Sequence, residues 1–475
     1  MSKTQIHRRP ERTAERRGLR KWPLLAANYA FLQFAQARSV LPLIICTLAS
    51  FLCAQALQKL TDRRRTICLA AGQICIFGIL FFYKYISFFS SIILKPLGCS
   101  SIPPTVQTTP AGLSFFTFAA SGYLFDVYRQ KCPVEKNIVN YAIFLSFFPA
   151  ILAGPINRAR DFLPQLKTPA QWSVLDFRRG LLRVVTGGVK KWVFADALGV
   201  LVNTVYADVT AHTDGQLLTA VIAYSLQIYI DFAAYSDIAI GTAEMLGFRL
   251  TENFHAPYFS RTVQTFWKKW HISLTNWFRE YLYFPLGGGK RGKARQYCNI
   301  LIVFAASGLW HGASWTFLAW GLLNGFMQIG GIMTKPLRKR LHHRLHIPED
   351  GAVQIIWQGI FTFVLMTAAW VFFRAESLGQ AVYILRRIGG IFLHGLSLQT
   401  APLPGMGKRR LILTALGVLT IFAADLRKTF SLKPPHLEKN IILFYYTVTA
   451  LLLFLAVFGN YGPEFQSSGY IYFQF

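Results

Sequence analysis

From Ile300 to Ile332 the chain reads ILIVFAASGLWHGASWTFLAWGLLNGFMQIGGI, without a single Asp, Glu, Lys or Arg. About 20 apolar residues suffice for a helix to cross a bilayer, so this stretch is long enough to enter and turn back. Shorter uncharged runs at Leu41–Leu57, Ile67–Tyr83, Leu217–Ile230, Val353–Phe373 and Ile441–Gly459 repeat the theme. In hydrocarbon a helix satisfies its own backbone polar groups, and that points to an all-α polytopic membrane protein. Composition agrees: 15% of the 475 residues are charged, against roughly a quarter in soluble domains.

The formal net charge of +29 would suit a nucleic-acid binder, but its cations lie between the apolar runs and not on a soluble domain. They mark cytoplasmic loops instead, and nucleic-acid binding is set aside. Lys3, Arg8, Arg9, Arg12, Arg16, Arg17, Arg20 and Lys21 make residues 1–22 a basic cytoplasmic tail, without the compact apolar region of a signal peptide. Residues 23–475 then form one transmembrane domain. Trp22–Ala37 and Ser39–Leu57 are expected to turn at Arg38, and Arg63–Arg65, Arg261–Arg295 and Lys335–Arg344 to face the cytoplasm. Ile138–Gly154 is basic on both flanks and reads as re-entrant. The route gives roughly ten crossings. The seven cysteines include no C-x-x-C pair and suggest neither a disulfide framework nor a zinc site.

Within the opening stretch His311 is the one ionisable side chain, and such a group at membrane depth is read as functional before it is read as structural. A core histidine bonded to a helix carbonyl is the competing reading. Gly308, Gly312, Gly321 and Gly325 allow backbone or substrate to approach, while Trp310, Trp315 and Trp320 form an apolar wall. Catalysis is the expectation.

A second segment, Asn253–Lys293, interleaves Phe266, Trp267, Trp270, Trp277 and Phe278 with Lys268, Lys269, Arg279 and Lys290. At helical spacing Phe266, Trp270, Leu274 and Trp277 share one face, with Lys269 off it. Two readings stand together: an interfacial helix held on anionic lipid, and a vestibule for an anionic acyl thioester. His271 either caps there or joins His311, and spacing alone does not bring the two together. GGGK at Gly287–Lys290 lacks P-loop spacing and predicts a turn. Asp231 and Asp237 in QIYIDFAAYSDIAIG are expected to pair with buried bases, helped by the hydroxyls of Tyr229, Tyr235 and Ser236. Ser114, Thr117 and Asp126 are expected to be structural.

GLSFFTF (Gly112–Phe118), FPAILAGPI (Phe148–Ile156), QIYIDFAAYSDIAIG, LGFRLTENFHAPYFSRTVQTFWKKWHISLTNWFREYLYFPLGG (Leu246–Gly288), SGLWHGASWTFLAWGLLNG (Ser307–Gly325) and the terminal YIYFQF resemble, in order, the membrane-bound O-acyltransferases. The nearest branch modifies bacterial polysaccharides, and the motif core spans about residues 111–330. The resemblance implies about ten helices, with re-entrant and interfacial ones, around a central tunnel. It implies His311 as the catalytic histidine and His271 as the second motif histidine. Trp267, Lys268, Lys269, Trp270, Arg279, Trp310 and Ser314 become candidates for donor or substrate binding. Further implications are a cytoplasmic thioester donor, acetyl-coenzyme A or an acyl-carrier protein, with no bound cofactor or metal. A secreted SGNH-type partner, a polysaccharide acceptor and the bacterial inner membrane complete the picture. Family members usually open with one more apolar span, where this chain has Lys3–Lys21. Two alternatives stay open: D-alanyl transfer from a carrier protein to a teichoic-acid-type polymer, and a transporter or flippase using Asp231, Asp237 and His311 as a relay.

Overall fold

The computed structural model describes residues 9–94, 109–168, 172–346, 348, 350–394, 403–432, 436–460, 470 and 471. The first eight tail residues, Cys99, the loop prolines Pro103 and Pro104 and the last four residues of the YIYFQF terminus lie outside them. Among the described residues every regular element is helical, as the apolar runs require. The chain is a multi-pass membrane protein, with five runs of helix long and apolar enough to cross among the described residues: Lys21–Lys59, Asp62–Ile92, Asp214–Met245, Ala352–Arg374 and Ile441–Phe458. Two other apolar stretches fall on broken elements. Ile138–Gly154 divides at Phe147 into Ile138–Ser146 and the single turn Phe148–Ile151. Ile300–Met333 divides at Gly312. Contacts gather in two compact units, residues 1–180 with 242–251 and residues 181–241 with 252–475.

In the first unit, α1 (Arg9–Gln36) and α2 (Val40–Lys59) are separated by extended backbone at Gln36 and a short 3-10 turn, Ala37–Ser39, that contains the expected turning point Arg38. α2 packs with α3 (Asp62–Leu80) and α4 (Leu113–Tyr128), and α1 packs on α5 (Ile138–Ser146). Buried polar groups fix their register: Asn28 Nδ2 donates to Ser146 Oγ (3.1 Å) and the Phe148 N–H donates to Asn28 Oδ1 (3.0 Å). Thr117 Oγ1 donates back to the Leu113 carbonyl (2.7 Å) and Asp126 meets Arg160 (3.8 Å), the structural roles expected of them. Gly112 opens α4 at φ +75°, where a β-carbon would also press on the Ile151 carbonyl.

The second unit contains most of α6 (Asp214–Met245) and all of the remaining elements that matter for the site. These are α7 (Val263–Lys269), α8 (Ile272–Phe278), α9 (Lys293–His311), α10 (Trp315–Arg344) and α11 (Ala352–Arg374). Buried Asp231 and half-buried Asp237 on α6 are each paired with cations, as expected. Lys191 Nζ lies 2.7 Å from Asp231 and 2.8 Å from Asp196, while Asp237 receives Arg183 (2.9 Å) and Lys190 (2.8 Å). Two of the hydroxyls expected to help bond elsewhere. Tyr229 bonds Asp425, Ser236 accepts from Asn253, and the Tyr235 ring packs on Tyr470. Asp231 also accepts the Ile471 N–H (2.9 Å), which ties the end of the chain to α6.

Candidate active site

α9 ends at His311 because three local features stop it there. Gly312 turns the backbone to extended, Ser314 caps the next helix by accepting the Phe317 N–H (3.4 Å), and a β-carbon at Gly312 would collide with the Phe317 ring. α9 and α10 then pack closely along their length. A β-carbon on Gly308 would meet the Phe317 carbonyl, and one on Gly321 the Phe304 carbonyl, so the two backbones touch where these glycines face each other. Gly308 and Gly321 were expected to admit backbone or substrate; they admit backbone.

This close fit fixes where His311 sits, 3% exposed. Its ring lies edge-to-face with Trp310 (4.9 Å between centroids), Trp320 (5.2 Å) and Phe373 (5.2 Å). Trp370 of α11 stacks on Trp320 behind it (5.5 Å). The expected aromatic wall differs in one member: Trp315, first residue of α10, is 54% exposed. Five residues along a helix turn a side chain by roughly 140°, so Trp315 and Trp320 cannot share a face. Trp370 and Phe373 take its place, supplied by a span that reads only as apolar in sequence.

His271 stands on a different kind of support. The expected continuous helical face through Phe266, Trp270, Leu274 and Trp277 is interrupted, since α7 ends at Lys269 and α8 begins at Ile272. Between them His271 has φ +42° and ψ +56°, in the left-handed region. Segment 253–255 runs alongside: the Lys269 carbonyl accepts the His255 N–H (3.0 Å) and the Asn253 carbonyl accepts the Ile272 N–H (3.0 Å). The His271 ring packs edge-on against Phe232 (4.7 Å) and 6.2 Å from Trp310. Burial, at 1% exposure, lowers its pKa to about 3, so the imidazole is neutral at ordinary pH.

Both histidines line one cavity of about 200 Å³. Trp267, Lys268, Trp270 and Arg279, four of the expected binding residues, line it as well. Trp310 instead touches both imidazoles, Ser314 serves as a helix cap, and neither Lys269 nor Lys290 is part of the lining. Sequence reasoning missed Ser307 and the amides Gln264, Gln296 and Gln328, which come from three helices and share no motif. None of the described lining residues is acidic, and Lys268 and Arg279 are cationic and exposed. Asp231 and Asp237 do not reach this cavity, which leaves a relay through them and His311 without support. The GGGK segment forms the expected turn, with Asn299 Nδ2 donating to the Gly288 carbonyl (2.9 Å).

Residues 129–375, which contain both histidines and the whole cavity lining, match the family model described as MBOAT, membrane-bound O-acyltransferase family. The chain belongs to that family. A probable alginate O-acetylase AlgI of Pseudomonas syringae pv. tomato is 36% identical over 331 residues, covering 68% of this chain and 59% of that protein. A peptidoglycan O-acetyltransferase of Helicobacter pylori is 32% identical over 409 residues, 79% of this chain and 74% of that protein. A teichoic acid D-alanyltransferase of Streptococcus thermophilus is 27% identical over 256 residues, 50% of this chain and 61% of that protein. The chain thus spans less than two thirds of the alginate O-acetylase it matches.

Proposed function

We propose that this protein transfers an acetyl group from a thioester to a hydroxyl destined for a cell-envelope or extracellular polysaccharide, with His311 as general base. The observation that carries the reading is the convergence of His271 and His311 on one small, aromatic-walled cavity. His311 takes the proton of the attacking hydroxyl. The hydroxyl oxygen adds to the thioester carbonyl, and the thiol leaves as the new ester forms. Trp310, Trp320 and Phe373 keep water from the reacting centre, which limits loss of the thioester to hydrolysis. His271, neutral, orients donor or acceptor by hydrogen bonding.

The lining favours acetyl over D-alanyl. A D-alanyl thioester carries an ammonium group, which the cationic Lys268 and Arg279 of this lining repel. Those cations suit the phosphates of coenzyme A or the acidic surface of an acyl-carrier protein at the mouth of the cavity. We place the protein in the bacterial inner membrane with its basic N-terminus and the Arg261–Arg295 and Lys335–Arg344 segments in the cytoplasm. The acceptor hydroxyl belongs to the polysaccharide or to an SGNH-type partner that relays the group outside. Purified protein given acetyl-coenzyme A and, separately, a D-alanyl-carrier thioester tests the reading. Turnover of the first is expected, and turnover of the second alone would replace acetyl with D-alanyl. An impermeant thiol reagent that reached a cysteine placed at Lys293 in intact cells would reverse the sidedness.

A further inference from the structure

A residue with a β-carbon in the left-handed region costs about 1–2 kcal/mol and persists only where its surroundings over-determine it. His271 is such a residue, and it sits at the N-cap position of α8 without using its side chain as a cap. The first N–H groups of a helix have no partner inside the helix, so something else must satisfy them. Asn253 does. Its carbonyl accepts the Ile272 N–H (3.0 Å), and its Oδ1 accepts both the Ser273 N–H (3.3 Å) and the Ser273 hydroxyl (2.7 Å). Its own Nδ2 donates to Ser236 Oγ on α6 (3.3 Å). Asn253 is 0% exposed, so no solvent competes for these bonds.

The geometry divides two tasks that usually fall to one side chain. An N-cap residue ordinarily folds its side chain back onto the N–H groups of its own helix. Here a neighbour from outside the helix does the capping, and the imidazole at the N-cap is released to line the cavity with His311. We infer that Asn253 is a positioning residue for acyl transfer: it caps α8 in place of His271, holds His271 in the left-handed conformation, and so aims its imidazole into the cavity. This inference rests on the acyl-transfer reading, in which His271 serves the reaction.

A double-mutant cycle tests it. Wild type, Asn253→Ala, His271→Ala and the double variant are purified in detergent, and kcat and KM for acetyl-coenzyme A are measured beside thermal unfolding. Displacing a reacting group by about 1 Å can cost roughly a hundredfold in rate, so Asn253→Ala is expected to lower kcat roughly 10- to 100-fold. In the His271→Ala background the same substitution is expected to lower it less than about twofold, because residues that act as a unit are not additive. A residue that merely stabilises the fold would lower the unfolding temperature and lower kcat by the same factor in both backgrounds. Equal factors, or a wild-type kcat for Asn253→Ala beside an impaired His271→Ala, overturn the inference and leave the acyl-transfer reading standing. A fully active His271→Ala overturns the role of His271 and this inference with it. Should Asn253→Ala not fold, Ser273→Ala replaces it in the cycle. That variant removes the 2.7 Å bond while leaving the Asn253 side chain in place, and is expected to show the same dependence on His271 with a smaller factor.

Discussion

Two histidines meet at one cavity, and the chain holds them there by opposite means. His311 is placed by its own neighbourhood: a glycine stops its helix, a serine starts the next, and facing glycines bring the two backbones together. His271 is placed from afar, by residues 253–255 hydrogen-bonded to both sides of it and by Ser236 behind Asn253. The first arrangement is packing and tolerates little change in shape. The second is a hydrogen-bond network and tolerates little loss of a partner. In the proposed transfer the rigid, apolar support would suit a base that must meet a hydroxyl at fixed distance, and the polar support a neutral imidazole that orients a substrate.

That contrast predicts a ranking of effects. The largest falls on His311. His311→Ala, compared with wild type at matched membrane levels, is expected to lower acetyl transfer by roughly two to four orders of magnitude, the range of a lost general base. A smaller loss, roughly 10- to 100-fold, is expected for His271→Ala, with much of it restored in His271→Gln, whose amide also can both donate and accept a hydrogen bond. Since burial holds His271 near 3 against an ordinary 6.5, any acid limb of kcat/KM above pH 5 is expected to survive in His271→Gln. A limb that disappears with His271 would show that it titrates in the working range.

Packing supplies the next effect. Gly308→Ala puts a methyl against the Phe317 carbonyl, which cannot rotate away, and is expected to destabilise the protein by about 1–3 kcal/mol. Thermal unfolding in detergent measures it, and an unchanged transition would mean the two helices are not in backbone contact. The smallest effects belong to the mouth of the cavity. Lys268→Gln and Arg279→Gln are each expected to raise KM for acetyl-coenzyme A about two- to fivefold with little change in kcat, and added salt to blunt the difference. Lys269→Gln and Lys290→Gln, outside the lining, are expected to leave KM as it is. A wild-type KM in all four variants would assign these cations to lipid alone.

How much of this was legible in the sequence follows from the same contrast. The apolar runs, the hairpin around His311, the turn at Gly287–Lys290 and the pairing of Asp231 and Asp237 were readable because each depends on residues close together or on the cost of burying charge. The place of Trp315 is not legible from aromatic spacing alone, because the helical rotation from Trp315 to Trp320 decides which way each points. The break at His271 was not readable. Every local signal in Phe266–Trp277 favours one amphipathic helix, and the partner that interrupts it, Asn253, lies well upstream. Trp370 and Phe373 were hidden for a similar reason, since nothing in Val353–Phe373 distinguishes a ring that faces His311 from one that faces lipid.

Acyl transfer as proposed requires the thioester to occupy the cavity shared by His271 and His311. A structure of the protein with a non-transferable thioether analogue of acetyl-coenzyme A, determined with an antibody fragment as fiducial, tests it most directly. Density for the acetyl end is expected between the two imidazoles, beside Ser307, with the phosphates toward Lys268 and Arg279. An analogue bound elsewhere while this cavity stays empty would contradict it.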